Sequence, residues 1–157
     1  MAGDAQAFYD MNSDPEVIKY TGDKPFESAE EARAFIAAYS HYDQYGYGRW
    51  AICLKPTGHF IGFCGLKYHP DPKITEVGYR LIKKYWGQGI ATEATMASIK
   101  YGFDQIGLSK IYAHVDAKNL ASARVLIKCG MHFVGNDTHQ GAPIRLYLLE
   151  KPTHETT

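Results

Sequence analysis

Residues 83–92 read Lys83-Lys84-Tyr85-Trp86-Gly87-Gln88-Gly89-Ile90-Ala91-Thr92. They stand between a predicted strand and the longest predicted helix of the chain. Glycines let backbone N–H groups approach an anion closely, and the start of a helix adds a partial positive charge. The stretch is therefore a candidate cradle for a pyrophosphate, with Lys83 and Lys84 as favourable charges nearby.

Two better-known phosphate motifs do not fit this glycine turn. A Walker loop is excluded, because no Gly-Lys-Ser/Thr follows the glycines. The dinucleotide fingerprint is incomplete, since Gly87-x-Gly89-x-x-Thr92 lacks the third glycine. Asp104 also falls in or near the end of the helix, where it does not supply the acidic residue of a strand end. A tight turn that binds nothing remains an alternative, because short glycine patterns are weak signals alone.

Apolar spacing and cap residues divide the rest of the chain into helices and strands. The first two predicted helices are residues 5–12 and a short helix after Asp14-Pro15. A third predicted helix is capped by Ser28 and Glu31, and its apolar stripe is Ala32, Phe35, Ile36 and Tyr39. The long helix carries Ile90, Ala94, Ala97 and Tyr101 on one face and Ile99, Phe103 and Ile106 in an adjacent row, and a last helix runs from Asn119 to Gly130. The predicted strands are a hairpin around Pro56-Thr57-Gly58, then residues 74–82, 111–116, 131–134 and 144–150.

This order of elements predicts an α/β (α+β) fold. A strand, a long helix and a strand joined to an antiparallel meander imply a mixed sheet with helices on its faces. A right-handed crossover would place residues 74–82 and 110–116 parallel to each other. No repeat or linker-like stretch interrupts the 157 residues, so we expect residues 1–157 to form a single domain.

Composition narrows the class of partner and the compartment. Seventeen basic residues balance seventeen acidic ones without a long run of either sign, which disfavours nucleic acid as a partner. The three cysteines are widely spaced and the seven histidines show no metal-binding spacing, so we expect neither a disulfide framework nor a metal ion. We find no signal peptide and no membrane-spanning run, so we predict no membrane partner and a cytoplasmic location.

Several segments resemble the GNAT N-acetyltransferase superfamily. The run from Tyr85 to Ala94 looks like its acetyl-CoA motif, Gln/Arg-x-x-Gly-x-Gly/Ala. Gly89 and Ala91 match the two small positions of the motif, whereas Trp86 stands where the motif has Gln or Arg. That tryptophan is common in the narrower branch of ribosomal-protein N-terminal acetyltransferases of RimJ/RimL type, which the chain also resembles. The likeness extends over most of the chain, through residues 13–17, 76–79, 119–122 and 128–130.

The resemblance implies a GNAT-like fold, with a twisted and mostly antiparallel sheet of six or seven strands flanked by about four helices. It implies acetyl-CoA as co-substrate and an amine-bearing acceptor: a protein N-terminal α-amine, or a small amine, amino acid or polyamine. A catalytically silent acyl-CoA-binding module is the alternative. The family's first edge strand has no counterpart here, so either the chain is shortened or another segment covers the edge. An uncovered edge would favour a homodimer.

By resemblance, main-chain groups of the turn hold the pyrophosphate, and the end of the preceding strand pairs with the pantetheine arm. The implied cofactor-binding residues are Leu81, Ile82, Trp86, Gly87, Gln88, Gly89, Ile90, Ala91, Thr92 and Asn119. Gly78 would mark a bulge that opens the slot for this arm, although a packing glycine explains it equally well. Asn119 is also the predicted cap of a helix.

Amide formation needs an acceptor for the amine's proton and a donor for the departing thiolate. Glu76 is the candidate base, since it lies on the strand that leads to the turn; an ion pair with Arg80 or with a neighbouring strand is the alternative. Ser122 is the candidate donor, because the resembled branch places a serine three residues after the asparagine in this role. Many superfamily members use a tyrosine where this chain has Leu126. Ser122 also suits the first turn of a capped helix.

Overall fold

The computed structural model describes residues 4–21 and 23–152. Within these ranges there are six α-helices and six strands, which follow the predicted order except for the helix at His41–Tyr45, which was not predicted. The helices are α1 (Ala5–Ser13), α2 (Pro15–Ile18), α3 (Ala29–Ala38), α4 (His41–Tyr45), α5 (Ile90–Tyr101) and α6 (Leu120–Lys128), with a 3-10 turn at Lys83–Tyr85 and a π turn at Gly102–Ile106. The strands are β1 (Arg49–Cys53), β2 (Phe60–His69), β3 (Ile74–Leu81), β4 (Lys110–Asp116), β5 (His132–His139) and β6 (Ala142–Glu150).

All six strands form one mixed sheet in the order β1-β2-β3-β4-β6-β5. Neighbours are antiparallel except β3 and β4, which run parallel. A parallel pair needs a long crossover connection, and α5 supplies it. The predicted mixed, mostly antiparallel sheet is therefore confirmed, as is the parallel placement of the strands on either side of the long helix.

The strands β3 and β4 meet and then separate. Within the described residues, the register between them has one pair of Cα partners, Glu76 and Tyr112, whereas β2 and β3 stay paired from Gly62–Leu81 to His69–Ile74. Beyond Glu76, the polar backbone groups on this side of β3 have no strand to bond. The sheet thus opens into a slot that leads towards the glycine turn.

The two faces of the sheet carry different helices. Successive side chains of a strand point to opposite faces. Val77 packs with Leu126 of α6 in the larger core cluster, so odd-numbered residues of β3 face α5 and α6. Arg80 donates to Asn12 of α1 at 2.5 Å, so even-numbered residues, including Glu76, lie on the other face. A group held in the slot between β3 and β4 is therefore accessible from both faces.

One of the two rows predicted for the long helix is confirmed and the other is wrong, because Ile99 and Phe103 are buried in the core with Ile106 packed against them. Tyr101 is 40% exposed and Ala97 is also exposed, so the row that begins at Ile90 does not face the core. The side that packs on the sheet consists of Thr95, Ser98, Ile99, Gly102 and Phe103. The hydroxyls of Thr95 and Ser98 lie 3.9 and 3.4 Å from the sulfur of Cys64. The buried polar atoms find partners there, so burying these small polar residues is tolerated. Apolar periodicity identified Ile99 and Phe103 on this side of the helix but missed Thr95 and Ser98.

Only one of the two hydrogen bonds of the predicted capping box is formed at the start of α3. The hydroxyl of Ser28 accepts from the N–H of Glu31 at 3.1 Å, but the Glu31 carboxylate accepts from the N–H of Glu27 at 2.8 Å. The reciprocal bond to Ser28 is therefore replaced by a bond one residue earlier. The predicted apolar stripe is also only partly correct, because Ala32 is buried whereas Phe35 is 52% exposed.

A tyrosine at the C-terminal end of α3 and another in α4 cover part of the β1 edge. The hydroxyl of Tyr39 accepts from the N–H of Arg49 at 3.0 Å, and the hydroxyl of Tyr42 donates to the Arg49 carbonyl. Residues near the helices thus satisfy edge groups that a further strand would otherwise bond. No helix in the described ranges is both long and apolar enough to cross a membrane.

Candidate active site

A cleft of about 980 Å³ joins the slot between β3 and β4 to the start of α5. Its lining includes most of the residues that the sequence singled out: Glu76, Leu81, Trp86, Gly87, Gly89, Ile90, Ala91, Thr92, Asn119 and Ser122. The other two, Ile82 and Gln88, do not line it. The structure therefore brings the candidate catalytic residues and the glycine turn to one continuous surface.

The glycine turn has the backbone expected of an anion site. Gly87 and Gly89 have φ angles of 74° and 79°, in the left-handed region that favours glycine. The first N–H to bond within α5 is that of Glu93, which donates to the Gly89 carbonyl at 3.0 Å. The amides of residues 90–92 consequently have no acceptor inside the helix and remain available to an anion.

The end of β3 presents its free backbone one residue earlier than predicted. The N–H of Ile82 donates to the Ile61 carbonyl at 2.9 Å, and the indole N–H of Trp86 donates to the Leu81 carbonyl at 3.0 Å. Because backbone groups alternate along a strand, those of Tyr79 and the N–H of Leu81 point towards the slot. The backbone able to pair with an extended ligand therefore belongs to Tyr79 and Leu81. The backbone N–H of Ile82 is already used.

Glu76 lies at the centre of a charged cluster. Its Oε2 is hydrogen-bonded to Nδ1 of His114, and its Oε1 is 3.3 Å from the Arg49 guanidinium. The Nε2 of His69 is 3.8 Å from Oε1, buried and without a hydrogen-bonding partner among the described residues. Burial raises the pKa of Glu76, but the bond from His114 and the charges of His114 and Arg49 outweigh it and hold that pKa below its ordinary value. Glu76 is therefore a carboxylate at neutral pH.

Two facing glycines let Arg49 reach this carboxylate. Arg49 pairs with Gly65 of β2, which pairs with Gly78 of β3, and the guanidinium donates to the Gly65 carbonyl at 2.8 Å. A Cβ on Gly78 would lie 2.8 Å from a guanidinium nitrogen. The predicted bulge at Gly78 is wrong, since the β2–β3 register is unbroken there. Gly78 is instead small because Arg49 passes over it.

Of the two partners named in the alternative interpretation of Glu76, Arg80 is wrong, whereas the neighbouring strand β4 does supply a partner, His114. Arg80 binds Asp23 at 2.7 Å as well as Asn12. These partners hold its guanidinium towards α1, away from Glu76. The cation that pairs with Glu76 comes from β1, two strands away, where sequence spacing gives no signal of contact.

Ser122 has a partner that sequence reasoning missed. Its hydroxyl lies 2.7 Å from that of Tyr79, and either can be the donor. Burial raises the pKa of Tyr79, although the bond to Ser122 acts in the opposite direction, so the phenol stays protonated at neutral pH. Asn119 accepts from the N–H of Ser122 at 3.2 Å, which confirms its predicted cap of α6. Leu126 is buried in the core.

Positive side chains dominate the charge of the cleft. Lys83 and Lys84 stand just before the glycine turn but do not line the cleft. The lining cations are Lys19, Arg49, Arg80, Lys118, Arg124 and Lys128, and the lining carboxylates are Glu16, Glu76 and Asp116. A ligand that carries phosphates suits this excess of positive charge. Within the described part of the chain, no group of three or more His, Cys, Asp or Glu side chains is placed to hold a metal ion.

The chain matches a known family. Residues 1–132 match the family model described as an acetyltransferase (GNAT) domain. This chain belongs to the GNAT acetyltransferase family. It is an acetyl-CoA-dependent N-acetyltransferase, which confirms the enzyme class and the co-substrate that the resemblance implied.

Individual relatives agree with this assignment. The uncharacterised N-acetyltransferase YoaA of Bacillus subtilis (strain 168) is 35% identical over 134 residues, which are 84% of this chain and 76% of that protein. A GNAT-family acetyltransferase from Bacillus anthracis superposes with a TM-score of 0.83 at 25% identity, over 96% of this chain and 90% of that one. A spermidine N-acetyltransferase from Vibrio cholerae, solved with CoA and spermine, superposes with a TM-score of 0.78 at 19% identity, over 94% and 90% of the two chains. The last similarity shows the shared fold alone.

Proposed function

We propose that this enzyme acetylates an α-amine, such as the N-terminal amine of a protein, by direct attack on acetyl-CoA in a ternary complex. The observation that carries the proposal is the slot between β3 and β4, which is open to both faces of the sheet. Glu76 lies on one face and Ser122 on the other, beside the same cleft. An acyl carbon in the slot is thus accessible to an amine from one face and to a proton donor from the other.

The glycine turn is proposed to hold the diphosphate of CoA. The amides of residues 90–92 have no acceptor within α5, and the backbone of Gly87 and Gly89 leaves open space around them. The Gln88 side chain donates to the Lys84 carbonyl at 3.2 Å, so Gln88 would contribute through its main chain. The Ile82 N–H is bonded elsewhere, so we propose that Tyr79 and Leu81 pair with the pantetheine arm, with Asn119 nearby.

The charge of the cleft favours an acceptor with a single ammonium group. Glu76 is already paired with Arg49 and His114, and cations outnumber carboxylates around the lining. A polyamine carries several positive charges, each of which would need a carboxylate to compensate its loss of water. An α-amine needs no second carboxylate. It is also deprotonated more easily, because its pKa is near ~8 against ~10.4 for a lysine amine.

The proposed reaction assigns one proton transfer to each face of the sheet. We propose that Glu76 draws the proton from the attacking amine, directly or through a group between them. Ser122, supported by Tyr79, would donate a proton to the thiolate as the C–S bond breaks. A proton acceptor and a proton donor placed in this way typically contribute a factor of about 10² to 10⁴ each.

Three further features are part of the proposal. The resemblance to the RimJ/RimL-type branch supports a protein N-terminus as acceptor. The part of β1 beyond Arg49 would form the interface of a homodimer, since only the edge groups of Arg49 receive bonds from Tyr39 and Tyr42 among the described residues. The cytoplasm stays the predicted location.

An amine panel tests the proposal. The full chain is incubated with acetyl-CoA and with a peptide bearing a free N-terminus, the same peptide blocked at its N-terminus but carrying lysine, and spermidine, and products are identified by mass spectrometry. We expect the free N-terminus to give the highest kcat/KM. A higher value for spermidine would overturn the acceptor assignment. No product with any amine, together with no CoA binding by calorimetry, would overturn the catalytic proposal itself.

A further inference from the structure

His114 and Glu76 lie side by side at the mouth of the slot. Tyr112 is the register partner of Glu76, and His114 follows it by two residues on β4, so the two side chains project from the same face of the sheet. Nδ1 of His114 is hydrogen-bonded to Oε2 of Glu76. The His114 ring lines the cleft, and 32% of its side chain is exposed, against 11% for Glu76. The imidazole, and not the carboxylate, is therefore the more accessible of the pair.

The bond between them fixes which nitrogen of His114 can take a proton. An ionised carboxylate accepts hydrogen bonds and cannot donate them. Glu76 is ionised at neutral pH, so Nδ1 of a neutral His114 must carry the hydrogen and Nε2 must hold the lone pair. Within the described residues, Nε2 of His114 has no hydrogen-bonding partner. The basic nitrogen is thus free to meet a ligand in the cleft.

Of the two routes left open for Glu76, action through a group between it and the amine fits its contacts better than direct removal of the proton. Each of its oxygens already faces a donor, Arg49 at Oε1 and His114 at Oε2. A group is most effective as a base when its pKa lies near the working pH, and the surroundings of Glu76 move its pKa the other way. A carboxylate that orients a histidine and stabilises its protonated form has a different role, familiar from serine hydrolases.

The geometry points to His114 as the residue that accepts the proton of the attacking amine at Nε2, with Glu76 as a positioning residue. This inference rests on the proposed function. The lone pair of the amine forms the new C–N bond at the thioester carbonyl, and the amine's proton passes to Nε2 of His114. As the C–S bond breaks, the thiolate takes a proton from the Ser122–Tyr79 pair. The resulting imidazolium, paired with Glu76, then loses its proton to water, and the hydroxyl pair regains one.

The variant His114→Asn tests this role with little change of shape. The asparagine amide can still donate to Glu76 from near the position of Nδ1, but it has no basic nitrogen. We expect kcat to fall about 10²-fold or more, within the range of a lost general base. The Kd for CoA and the Tm should stay close to those of the wild type. An unchanged kcat in His114→Asn would overturn the inference.

A second variant separates chemistry from packing. In His114→Ala, added imidazole can enter the space beside Glu76, and we expect it to restore transfer. The extent of rescue should increase with the basicity of substituted imidazoles of similar size, which a filled cavity alone would not produce. If the extent of rescue does not depend on the basicity of the added imidazole, or if there is no rescue, His114 is not the proton acceptor.

A matched control and the wild type complete the test. His132→Asn changes an exposed histidine of β5 outside the cleft lining and should leave kcat unchanged. If the wild type acetylates an amine and His114→Asn does so equally well, this inference fails and the proposed function stands. If the wild type acetylates none of the amines, both fail together.

Discussion

The hydroxyl oxygens of Tyr79 and Ser122 lie 2.7 Å apart, which joins β3 to the first turn of α6 across the wall of the cleft. Two hydroxyls in such a bond share one hydrogen between them and leave the other free to donate onward. Because burial raises the pKa of Tyr79, the phenol keeps its proton at neutral pH. The proposed proton donor is consequently a pair of hydroxyls rather than a single serine.

This pairing predicts unequal effects for its two members. If Ser122 is the terminal donor, Ser122→Ala lowers kcat by about 10²-fold, whereas Tyr79→Phe lowers it less because a serine hydroxyl remains. Neither change should alter the Kd for CoA by more than a few-fold. Steady-state kinetics and calorimetry on both variants check this. A larger loss in Tyr79→Phe would move the terminal donor to the tyrosine, and full activity in both would remove the pair from the mechanism.

The glycine turn should be sensitive to a single methyl group. Gly89 has a φ of 79°, and a non-glycine residue in that conformation costs about 1–2 kcal/mol. No atom lies within 4 Å of a Cβ built there, so the cost would come from the backbone and not from a clash. We expect the free turn of Gly89→Ala to relax out of this conformation, so that CoA binding has to restore it. Since 1.4 kcal/mol is a tenfold change in affinity, the Kd for CoA should then rise about tenfold.

Two other glycines provide controls for Gly89→Ala. Gly58, in the turn between β1 and β2, has a φ of 71°, so Gly58→Ala should lower the Tm without changing CoA affinity. Gly135 also has open space around it but lacks a left-handed φ, so Gly135→Ala should change neither. Equal CoA affinity in Gly89→Ala and Gly135→Ala would contradict the proposed diphosphate site.

The sequence predicted the sheet and the turn, because both depend on local patterns. Runs of apolar residues predicted β1 to β4, and two glycines before a long helix predicted the anion site. The contacts around the candidate base Glu76 were harder to predict from the sequence, because they join residues that are far apart in the chain. Arg49 is 27 residues from Glu76 and His114 is 38 residues from it, and their contacts arise from strand order and from the space above Gly78.

Tyr79 and α5 illustrate two further limits of sequence reasoning. Tyr79 stands next to the expected pantetheine edge, but its partner Ser122 lies 43 residues away on α6, and only the folded sheet brings them together. In α5, the buried row includes Thr95 and Ser98, which bond to Cys64. A scale that counts polar residues as exposed assigns them to the wrong face.

The lowered pKa of Glu76 predicts a pH-dependent stability. A carboxylate whose pKa is lower in the folded state stabilises the fold above its ordinary value of 4.5, and this contribution is lost as the pH falls through the folded pKa. Glu76→Gln should therefore be less stable than the wild type at pH 7, by about 3 kcal/mol if Arg49 and His114 lose their buried partner. The difference should shrink as the pH falls below 4.5.

Urea unfolding at several pH values measures this difference. The exposed Glu150 of β6 gives a matched control, and Glu150→Gln should show a small difference that varies little with pH. A constant gap between the wild type and Glu76→Gln from pH 7 down to pH 3 would contradict the lowered pKa in the folded state.

Gly78→Ala provides a steric test of the pair formed by Arg49 and Glu76. The new Cβ would lie 2.8 and 2.9 Å from the two terminal guanidinium nitrogens of Arg49. Those nitrogens belong to the far end of a flexible side chain, so the strand can keep its place while the guanidinium moves. The bonds from Arg49 to Glu76 at 3.3 Å and to the Gly65 carbonyl at 2.8 Å should both be lost.

The electrostatic consequence of Gly78→Ala can be compared with that of Arg49→Met, which removes the charge without adding a clash at Gly78. The charge of Arg49 is one of the influences that lower the pKa of Glu76, so both variants should raise that pKa. Carbon-13 NMR titration of the side-chain carboxyl measures it, and circular dichroism checks that the sheet is retained. A raised pKa in Arg49→Met with an unchanged one in Gly78→Ala would show that the guanidinium does not depend on the glycine for its path. A raised pKa in both would mean that a glycine on β3 sets the charge of the catalytic cluster by leaving room for an arginine from β1.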